Sequence, residues 1–267
     1  MQQYNTPQNG PMLHIHAAGR TATGRLREQN EDAFVLSDVS DEKLAEQLGR
    51  LYVLADGTGG NVAGETASQI AIQTIPGVYY HQSEGDSPLI RLQQAFSAAD
   101  SHIRERSSID QKYAGIATTC TAVVVRGTRL WIGHIGDSRA YLVHTSSQFQ
   151  RPIERLTTDH SQVASQVRAG NLSHEQMRRS PEDRDVLLRA LGQSRENNSY
   201  PDFIMCNIHP GDALVLCSDG LWGALTEEQI ASIVQNNSAQ QACDELVRLA
   251  GNAGGDEDIS AILLSFF

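Results

Sequence analysis

The chain has 267 residues, 40% of them hydrophobic, which is enough for one large domain or two small ones with a sizeable core. Its formal net charge of −11 argues against binding to nucleic acids or anionic membranes, because both select partners with basic surfaces. The acid excess leaves two interpretations open, general solubility or carboxylates that hold cations. The four cysteines show no CxxC spacing, so we expect reduced buried thiols rather than a zinc site or a disulfide framework.

The segment 1–12 is polar and lacks the basic and apolar regions of a secretion signal, so we expect a flexible tail. No run of residues approaches the roughly 18 apolar positions that a membrane-spanning helix needs. No linker-like stretch or repeat follows the tail, which favours a single domain over 13–267. The sequence therefore indicates a cytoplasmic protein, monomeric, without a nucleic-acid or membrane partner.

Runs of β-branched and apolar residues predict strands along most of the chain. In chain order, the predicted strands cover 33–38, 51–55, 120–126, 129–135, 139–144, 213–217 and 260–266. The third and fourth of these form a predicted hairpin that turns at Arg126, Gly127 and Thr128. Because strands cluster with strands, antiparallel sheets with helices packed outside fit better than a parallel βαβ arrangement.

Apolar residues at three- and four-residue spacing predict helices between these groups of strands. One covers 64–75, where Pro76 is expected to end it, and another covers 88–106. Two later helices are predicted from capping boxes. These pair Thr226 with Gln229 and Ser238 with Gln241. The polar segment 161–200 predicts a small helical excursion over one end of the sheets.

Two strand ends carry the same pattern, an apolar run that leads into an Asp-Gly pair. LYVLADGTGG places Asp56 before Gly57, and LVLCSDGLWG places Asp219 before Gly220. A carboxylate at the end of a buried strand can project into a cleft, and the glycine allows a sharp turn or a close approach. One copy would be an ordinary Asp-Gly turn. Two copies on separate strands favour carboxylates that together hold a hard divalent cation.

Three further acidic segments stand at strand ends. They are GRLREQNEDAF with Arg27, Glu31 and Asp32, GHIGDSRAYL with Asp137, and GGDEDIS with Asp256, Glu257 and Asp258. Each alone could be a solvated acidic turn, and Arg27 could be a surface arginine that pairs with Glu31 at helical spacing. Together, carboxylates without histidine or cysteine partners suit Mg²⁺ or Mn²⁺ rather than zinc.

Six motifs carry a resemblance to a known family. LADGTGG, TTCTAVVV, GHIGDSRAYL, LTTDHS, LCSDGLWG and GGDEDIS follow, in this order, those of the metal-dependent (type-2C, PPM) protein serine/threonine phosphatases of bacterial type. The resemblance implies an α+β fold, a four-layer α-β-β-α sandwich of two antiparallel sheets flanked by helix pairs. It also implies two Mn²⁺ or Mg²⁺ ions at one end of the sheets, with a flap over the cleft at 161–200.

By position in these motifs, the resemblance implies a set of metal ligands. Asp56 would bridge the two ions, the Gly57 carbonyl would bind one of them, and Asp219 would bind the other together with an acid of GGDEDIS. Asp137, with Asp219, would hold a weaker third ion, and Asp32 would be a carboxylate linked to the metals through water.

The resemblance also implies a mechanism for phosphoester hydrolysis. Two adjacent cations lower the pKa of a shared water and neutralise the phosphate. We therefore expect direct in-line attack by a metal-bridging hydroxide beside Asp56, without a covalent intermediate. Arg27 resembles the phosphate-holding arginine of the family and would bind two phosphate oxygens. His160 is interpreted as a residue that orients a loop.

The final acidic motif departs from the family pattern. The family has Asp-Asn where this chain has Glu257 and Asp258. By register Glu257 takes the position of the metal ligand, although its extra methylene moves the carboxylate by roughly 1.5 Å. Asp258 or Asp256 could substitute after a small backbone shift. We expect at least one metal to bind less tightly as a result.

Two smaller departures concern the residues around the bridging aspartate. Thr58 and Asn61 stand where eukaryotic and bacterial members, respectively, have a histidine, which leaves open whether a side chain serves as general acid. Ala117 replaces the glycine that usually precedes the paired threonines, Thr118 and Thr119.

The leading hypothesis is therefore a metal-dependent phosphoserine/phosphothreonine protein phosphatase that acts on phosphorylated proteins and opposes a Ser/Thr kinase in signalling. The alternative is a pseudophosphatase, a phosphoprotein-binding or regulatory module of the same fold, supported only by the change at Glu257 and Asp258. A third hypothesis, a relative that acts on phosphorylated anti-anti-sigma factors, ranks lower because such members usually carry sensor domains.

Overall fold

The structure is a computed structural model. It describes residues 13–36, 39, 41–59, 62–81, 85–144, 151–173, 176, 186–193 and 200–267. The tail predicted at 1–12, Asn61 and a large part of the excursion predicted at 161–200 lie outside the described residues.

The described residues form two antiparallel sheets with helices between and after the strands. The strands are β1 (Ile15–Ala22), β2 (Asp32–Val35), β3 (Arg50–Thr58), β4 (Ala117–Thr118), β5 (Cys120–Arg126), β6 (Arg129–Ile135), β7 (Arg139–Val143), β8 (Ile153–Arg155), β9 (Asp202–Asn207), β10 (Ala213–Cys217) and β11 (Ile259–Phe266). The helices are α1 (Glu42–Leu48), α2 (Val62–Tyr80), α3 (Pro88–Ile109), α4 (Gln162–Arg168), α5 (Asp219–Ala224), α6 (Glu227–Asn236) and α7 (Ala239–Asn252), with a 3₁₀ turn at Gln111–Tyr113.

The first sheet has the strand order β1-β11-β10-β7-β8, and the second has the order β2-β3-β5-β6-β9, with β4 pairing β3. Every neighbouring pair is antiparallel. In the hairpin of β5 and β6, Arg126 lies opposite Arg129, so the turn consists of Gly127 and Thr128, two of the three residues predicted for it, and Arg126 ends β5. Gly127 has φ +57°, a left-handed conformation that glycine adopts without strain.

Alternation along the strands divides the core into three layers of side chains. On β3, Tyr52 and Leu54 point into the layer between the sheets, where they share a cluster with residues such as Leu214 of the first sheet. Leu51 and Val53 point the other way, into a cluster with α2 and α3. The outer face of the first sheet packs against α5, α6 and α7. This order of layers confirms the predicted α-β-β-α sandwich.

Local sequence accounts for where several helices begin. Gln229 N–H donates to Thr226 Oγ1 (3.2 Å) and Thr226 N–H donates to Gln229 Oε1 (2.8 Å), which is the capping box predicted for α6. At α7, Ser238 N–H donates to Gln241 Oε1 (3.3 Å). Both helices therefore begin at the predicted residues. Within the described part of the chain, no helix has the length and apolar character that a membrane crossing requires.

The prediction that Pro76 ends α2 was wrong, because the helix continues to Tyr80. Proline removes one intrahelical hydrogen bond, but the turn around it is held by tertiary contacts. Ile75 and Tyr79 are fully buried, and the Tyr79 hydroxyl donates to Leu48 O (2.6 Å). Packing of this face outweighs the local preference of the sequence.

The predicted excursion at 161–200 is described only in part. It begins with α4, and its last described stretch, 186–193, returns to the body of the protein. Isolated bridges join Ser161 to Leu187 and Thr118 to Leu191. The stretch 186–193 therefore pairs both with the start of the excursion and with β4, next to the end of β3 that carries Asp56.

Candidate metal and phosphate site

The acidic residues predicted at strand ends lie together at one end of the sandwich. Asp32 on β2 lies directly opposite Asp56 on β3. Asp137 lies in the turn between β6 and β7, Asp219 begins α5 after β10, and Asp258 immediately precedes β11. The first sheet and the second sheet both contribute, because β10 and β11 belong to the first and β2 and β3 to the second.

The proximity of these carboxylates raises the proton affinity of Asp56. Desolvation raises the pKa of Asp56 well above its usual value, and repulsion from four neighbouring carboxylates raises it further. These neighbours are Asp32, Asp219, Asp137 and Asp258. Such a cluster favours protons or cations that neutralise it.

Asp32 and Glu31 are also shifted. Desolvation raises the pKa of Asp32 to about 7, against hydrogen bonds from Ser260 and Ser218 that lower it; the Ser218 hydroxyl donates to Asp32 Oδ2 (2.8 Å). Desolvation likewise raises the pKa of Glu31 to about 7, opposed by the positive charge of Arg27. In the described residues, Asp32 Oδ1 and Glu31 Oε1 are buried without a hydrogen-bond partner. A bound cation would supply the compensation that these buried oxygens need.

Two threonines hold the backbone of Asp56. Asp56 N–H donates to Thr119 Oγ1 (3.1 Å), and the Thr118 hydroxyl donates to Asp56 O (2.9 Å). Thr119 Oγ1 is also 2.8 Å from Ser138 Oγ, in the turn that carries Asp137. The end of β3 is thereby tied to the β6–β7 turn, which limits the freedom of both carboxylates.

Gly57 follows Asp56 because no larger residue fits there. Gly57 is buried, and a Cβ atom on it would lie 2.1 Å from Gly64 O and 2.9 Å from Glu31 O. Gly57 N–H donates to Glu31 O (3.1 Å). The sequence predicted that glycine at this position allows a close approach of other groups. The backbone contacts of Gly57 with Gly64 and Glu31 support this prediction, and no unusual φ is involved.

The three acids of GGDEDIS have different environments. Asp256 is exposed and Asp258 is buried. Asp258 accepts from Gly24 N–H at Oδ1 (2.8 Å) and from Glu31 N–H at Oδ2 (2.7 Å), so it anchors the loop before β2. Glu257 is half-buried and its Oε2 accepts from Arg27, with Nε at 3.1 Å. Both predicted ligands of this motif are therefore engaged with the 24–31 loop.

Arg27 lies exposed at the edge of the acidic cluster. In addition to its bond to Glu257, its Nη1 lies 3.9 Å from Glu31 Oε2. The alternative interpretation of Arg27, a surface arginine that pairs with Glu31, is therefore present as a long contact. An exposed guanidinium beside carboxylates can exchange its hydrogen bonds to them for hydrogen bonds to an incoming anion. The position suits the phosphate-holding role that the resemblance implied.

The donor set fits a hard divalent cation in its chemistry, since it consists of carboxylate and carbonyl oxygens, and among the described residues Asp32 Oδ1 is buried without a hydrogen-bond partner. In the described ranges, no three His, Cys, Asp or Glu side chains are arranged as a group that could hold a metal ion as they stand. The residues that would hold cations are the convergent set, Asp32, Asp56, Asp137, Asp219 and the Glu257–Asp258 pair, after side-chain adjustment.

Sequence reasoning missed two contributors. Ser218 was not singled out, although its hydroxyl donates to Asp32 and accepts from Ser260 N–H (2.9 Å). Trp222 was also missed, and its Nε1 donates to Asp137 O (2.8 Å). The only available signal was their position within LCSDGLWG, one residue before and three residues after Asp219.

Comparison with known proteins agrees with this fold. A family model described as Protein phosphatase 2C matches residues 25–263. The serine/threonine protein phosphatase PstP of Mycobacterium tuberculosis is 31% identical over 252 residues, which cover 94% of this chain and 45% of PstP. The chain therefore spans about half the length of that relative. Protein phosphatase PhpP of Streptococcus pneumoniae is 30% identical over 250 residues, covering 92% of this chain and 95% of PhpP.

A solved structure of the PstP catalytic domain in complex with two manganese ions has the same fold. It superposes with a TM-score of 0.79 at 29% identity, covering 96% of this chain and 99% of that one. The family match extends over most of the chain, from the loop that carries Arg27 into β11. On these grounds the chain belongs to the protein phosphatase 2C family.

Proposed function

We propose that this chain is a metal-dependent phosphoserine/phosphothreonine protein phosphatase. The observation that carries the proposal is the convergence of Asp56, Asp32, Asp219 and Asp137 at one end of the sandwich, with the pKa of Asp56 raised by desolvation and then by the other three. Arg27 stands beside this cluster with an exposed guanidinium. The site thus combines cation-holding carboxylates with a phosphate-holding group.

Each residue has a defined task in this proposal. Asp56 and Asp219 hold the cations, and Ser218 orients Asp32 toward them. Arg27 exchanges its bond to Glu257 for two phosphate oxygens of the substrate. Divalent cations, when bound, supply Lewis-acid charge neutralisation of the phosphate and an acidified water as nucleophile. The 24–31 loop, held by Asp258, sets the distance between Arg27 and the cluster.

The finer features follow from the same residues. We propose two Mn²⁺ or Mg²⁺ ions per chain, with a weaker third at Asp137. The substrates are phosphorylated proteins produced by a Ser/Thr kinase, and the setting is cytoplasmic signalling. Support comes from the oxygen-only donor set and from the manganese ions in the structurally similar PstP domain.

The test is hydrolysis of p-nitrophenyl phosphate and of a phosphothreonine peptide by the purified chain, with Mn²⁺ or Mg²⁺ added, and then with excess chelator. We expect turnover of both substrates that requires the metal and disappears with the chelator. Turnover that survives the chelator would reject metal dependence.

A pseudophosphatase is the second candidate, and one observation favours it. Glu257, which replaces the aspartate of the family, is bonded to Arg27 and so occupies the group expected to hold phosphate. If this pairing were permanent, Arg27 could not hold the phosphate of a substrate, and the chain would act as a binding module without hydrolysis. No turnover at any Mn²⁺ concentration, together with binding of a phosphothreonine peptide that Arg27→Ala does not weaken, would support this function.

Arg27→Ala should raise the KM for p-nitrophenyl phosphate more than it lowers kcat. Loss of charge-assisted hydrogen bonds to phosphate corresponds to about 1.5–3 kcal/mol, or roughly 10- to 100-fold in kcat/KM. Steady-state kinetics at saturating Mn²⁺ measure both constants.

The matched control is Arg20→Ala, which removes an exposed arginine with only a 3.9 Å contact to Asp244. This control should leave kcat and KM unchanged. An unchanged KM in Arg27→Ala would contradict a phosphate-holding role for Arg27.

A further inference from the structure

The imidazole of His160 connects the turn that carries Asp137 to Asp202 on β9. The backbone N–H of Gly136 donates to His160 Nδ1 (3.1 Å), and the backbone N–H of His160 donates to Gly136 O (2.8 Å). These reciprocal bonds clamp the residue immediately before Asp137. His160 itself is buried, with its side chain only 4% exposed.

The bonds define which nitrogen of His160 carries the proton. Nδ1 accepts from a backbone N–H, so it must be unprotonated, and Nε2 is 3.0 Å from Asp202 Oδ2, to which it donates. Asp202 therefore selects the Nε2–H tautomer. Desolvation lowers the pKa of His160, which keeps the imidazole neutral and able to accept at Nδ1.

The turn that His160 clamps has little freedom of its own. Gly136 has φ +105°, and a Cβ atom there would lie 2.4 Å from the Thr119 side chain. Thr119 binds the Asp56 N–H, and Trp222 binds the Asp137 carbonyl. A shift of the Gly136 amide would therefore move Asp137 relative to Asp56.

The other side of His160 faces the segment 186–193. Leu188 N–H donates to His160 O (2.7 Å), and Arg189 Nη2 donates to Asp202 Oδ1 (2.7 Å). The Asp202 carboxylate thus joins His160 to Arg189. Both the main chain and the side chain of His160 connect this returning segment to the acidic cluster.

We propose that His160 is a positioning residue, which uses its Asp202-selected tautomer to hold the Gly136 amide and so fix the Asp137 carboxylate relative to the rest of the site. This role rests on the proposed function, since its consequence is read in the metal dependence of phosphoester hydrolysis. It also links the position of 186–193 to the geometry of the cluster through Asp202.

Two conservative variants separate positioning from general structural support. The Oδ1 of Asn lies about where imidazole Nδ1 lies, so His160→Asn keeps an acceptor for the Gly136 amide. The amide of Gln reaches the position of Nε2, so His160→Gln keeps the contact with Asp202 and loses that acceptor. Both remove the same ring, and a purely structural role predicts similar effects.

The first measurement does not depend on activity. In the wild-type protein with ¹⁵N label, we expect a scalar coupling across the Gly136 N–H···Nδ1 His160 hydrogen bond, and slow hydrogen exchange of the Gly136 amide. Slow exchange should persist in His160→Asn and be lost in His160→Gln. The absence of the coupling in the wild-type protein would overturn the proposal.

The second measurement is the Mn²⁺ concentration that gives half-maximal hydrolysis of p-nitrophenyl phosphate. Supporting residues around metal ligands typically change metal affinity or activity by 10- to 100-fold, so His160→Gln should raise this concentration by about 10-fold or more. His160→Asn should restore most of the loss. Equal effects of the two variants would reject positioning in favour of plain structural support.

The chain offers a matched control in His144. It is also buried and also bonded to a carboxylate, with Nδ1 3.0 Å from Asp212 Oδ1, but it lies at the opposite end of β7 from Asp137. His144→Gln should lower the melting temperature and leave the Mn²⁺ dependence unchanged.

Two outcomes separate the possible failures. If His160→Gln does not fold, Asp202→Ala tests the same link, with faster exchange of the Gly136 amide expected and unchanged exchange contradicting the proposal. If the wild-type protein shows the coupling but hydrolyses nothing with Mn²⁺, the proposed function fails, while the hold of His160 on the Gly136 amide is still supported by the coupling and the exchange data.

Discussion

Asp56→Asn is expected to abolish metal-dependent hydrolysis while making the metal-free protein more stable. The substitution removes the carboxylate at the centre of the cluster, and the loss of several kcal/mol of charge stabilisation corresponds to roughly 10³-fold or more in kcat/KM. It also removes a carboxylate whose pKa is raised by desolvation and then by repulsion from Asp32, Asp219, Asp137 and Asp258. At pH 8 the metal-free variant should have a higher free energy of unfolding than the metal-free wild-type protein.

Lower activity together with higher stability distinguishes a functional carboxylate from a structural one, because removing a structural group lowers both activity and stability. Kinetics with saturating Mn²⁺ and denaturant unfolding in chelator measure the two effects. Asp244→Asn, which removes an exposed carboxylate on α7, should change neither. Near-normal activity in Asp56→Asn would show that the site is misplaced.

The metal-free protein is expected to lose stability as the pH rises from 5 to 8, relative to the Asp32→Asn variant. The pKa of Asp32 is raised from 3.8 to about 7, so between these values the unfolded chain is ionised while the folded protein retains the proton. The stabilisation is complete below the unfolded pKa and is lost as the pH rises through the folded one. Over this pH range the difference should be about 2–3 kcal/mol, or roughly 5–10 °C in melting temperature.

Comparison with Asp32→Asn is needed because other groups titrate in the same range. Desolvation lowers the pKa of His134 to about 3 and also lowers that of His160, and both histidines make stability rise with pH up to about 6.5. These contributions cancel in the difference. Added Mn²⁺ should remove most of the pH dependence of the wild-type protein, since a cation replaces the proton, and chelator should restore it. A parallel pH profile for the two proteins would contradict a raised Asp32 pKa.

The strand-end aspartates show how far local patterns reach. The apolar runs before Asp56 and Asp219 have the composition of buried strands, and both form strands of the predicted extent within a few residues. The capping boxes at Thr226 and Ser238 likewise begin helices where predicted. Such features depend on residues that are only a few positions apart in the chain. The local sequence therefore contains the information needed to predict them.

The edge strands show where local patterns fail. β1 and β9 were not predicted, and their burial patterns are mixed rather than alternating. Each is defined by its partner: β1 pairs with β11 along its whole length, and β9 pairs with β6. Backbone hydrogen bonds to a distant strand, which leave no mark on the side-chain sequence, stabilise these segments.

For the site, the sequence by itself determined which residue types stand at the strand ends, and the resemblance implied a role for each of them. Only the tertiary structure decided which carboxylates of the cluster also anchor the 24–31 loop. Asp258 illustrates this, because its two hydrogen bonds join it to Gly24 and Glu31, 234 and 227 residues away in the chain. The environment of a carboxylate depends on desolvation and on neighbours from both sheets, and these exist only once the sheets have packed together.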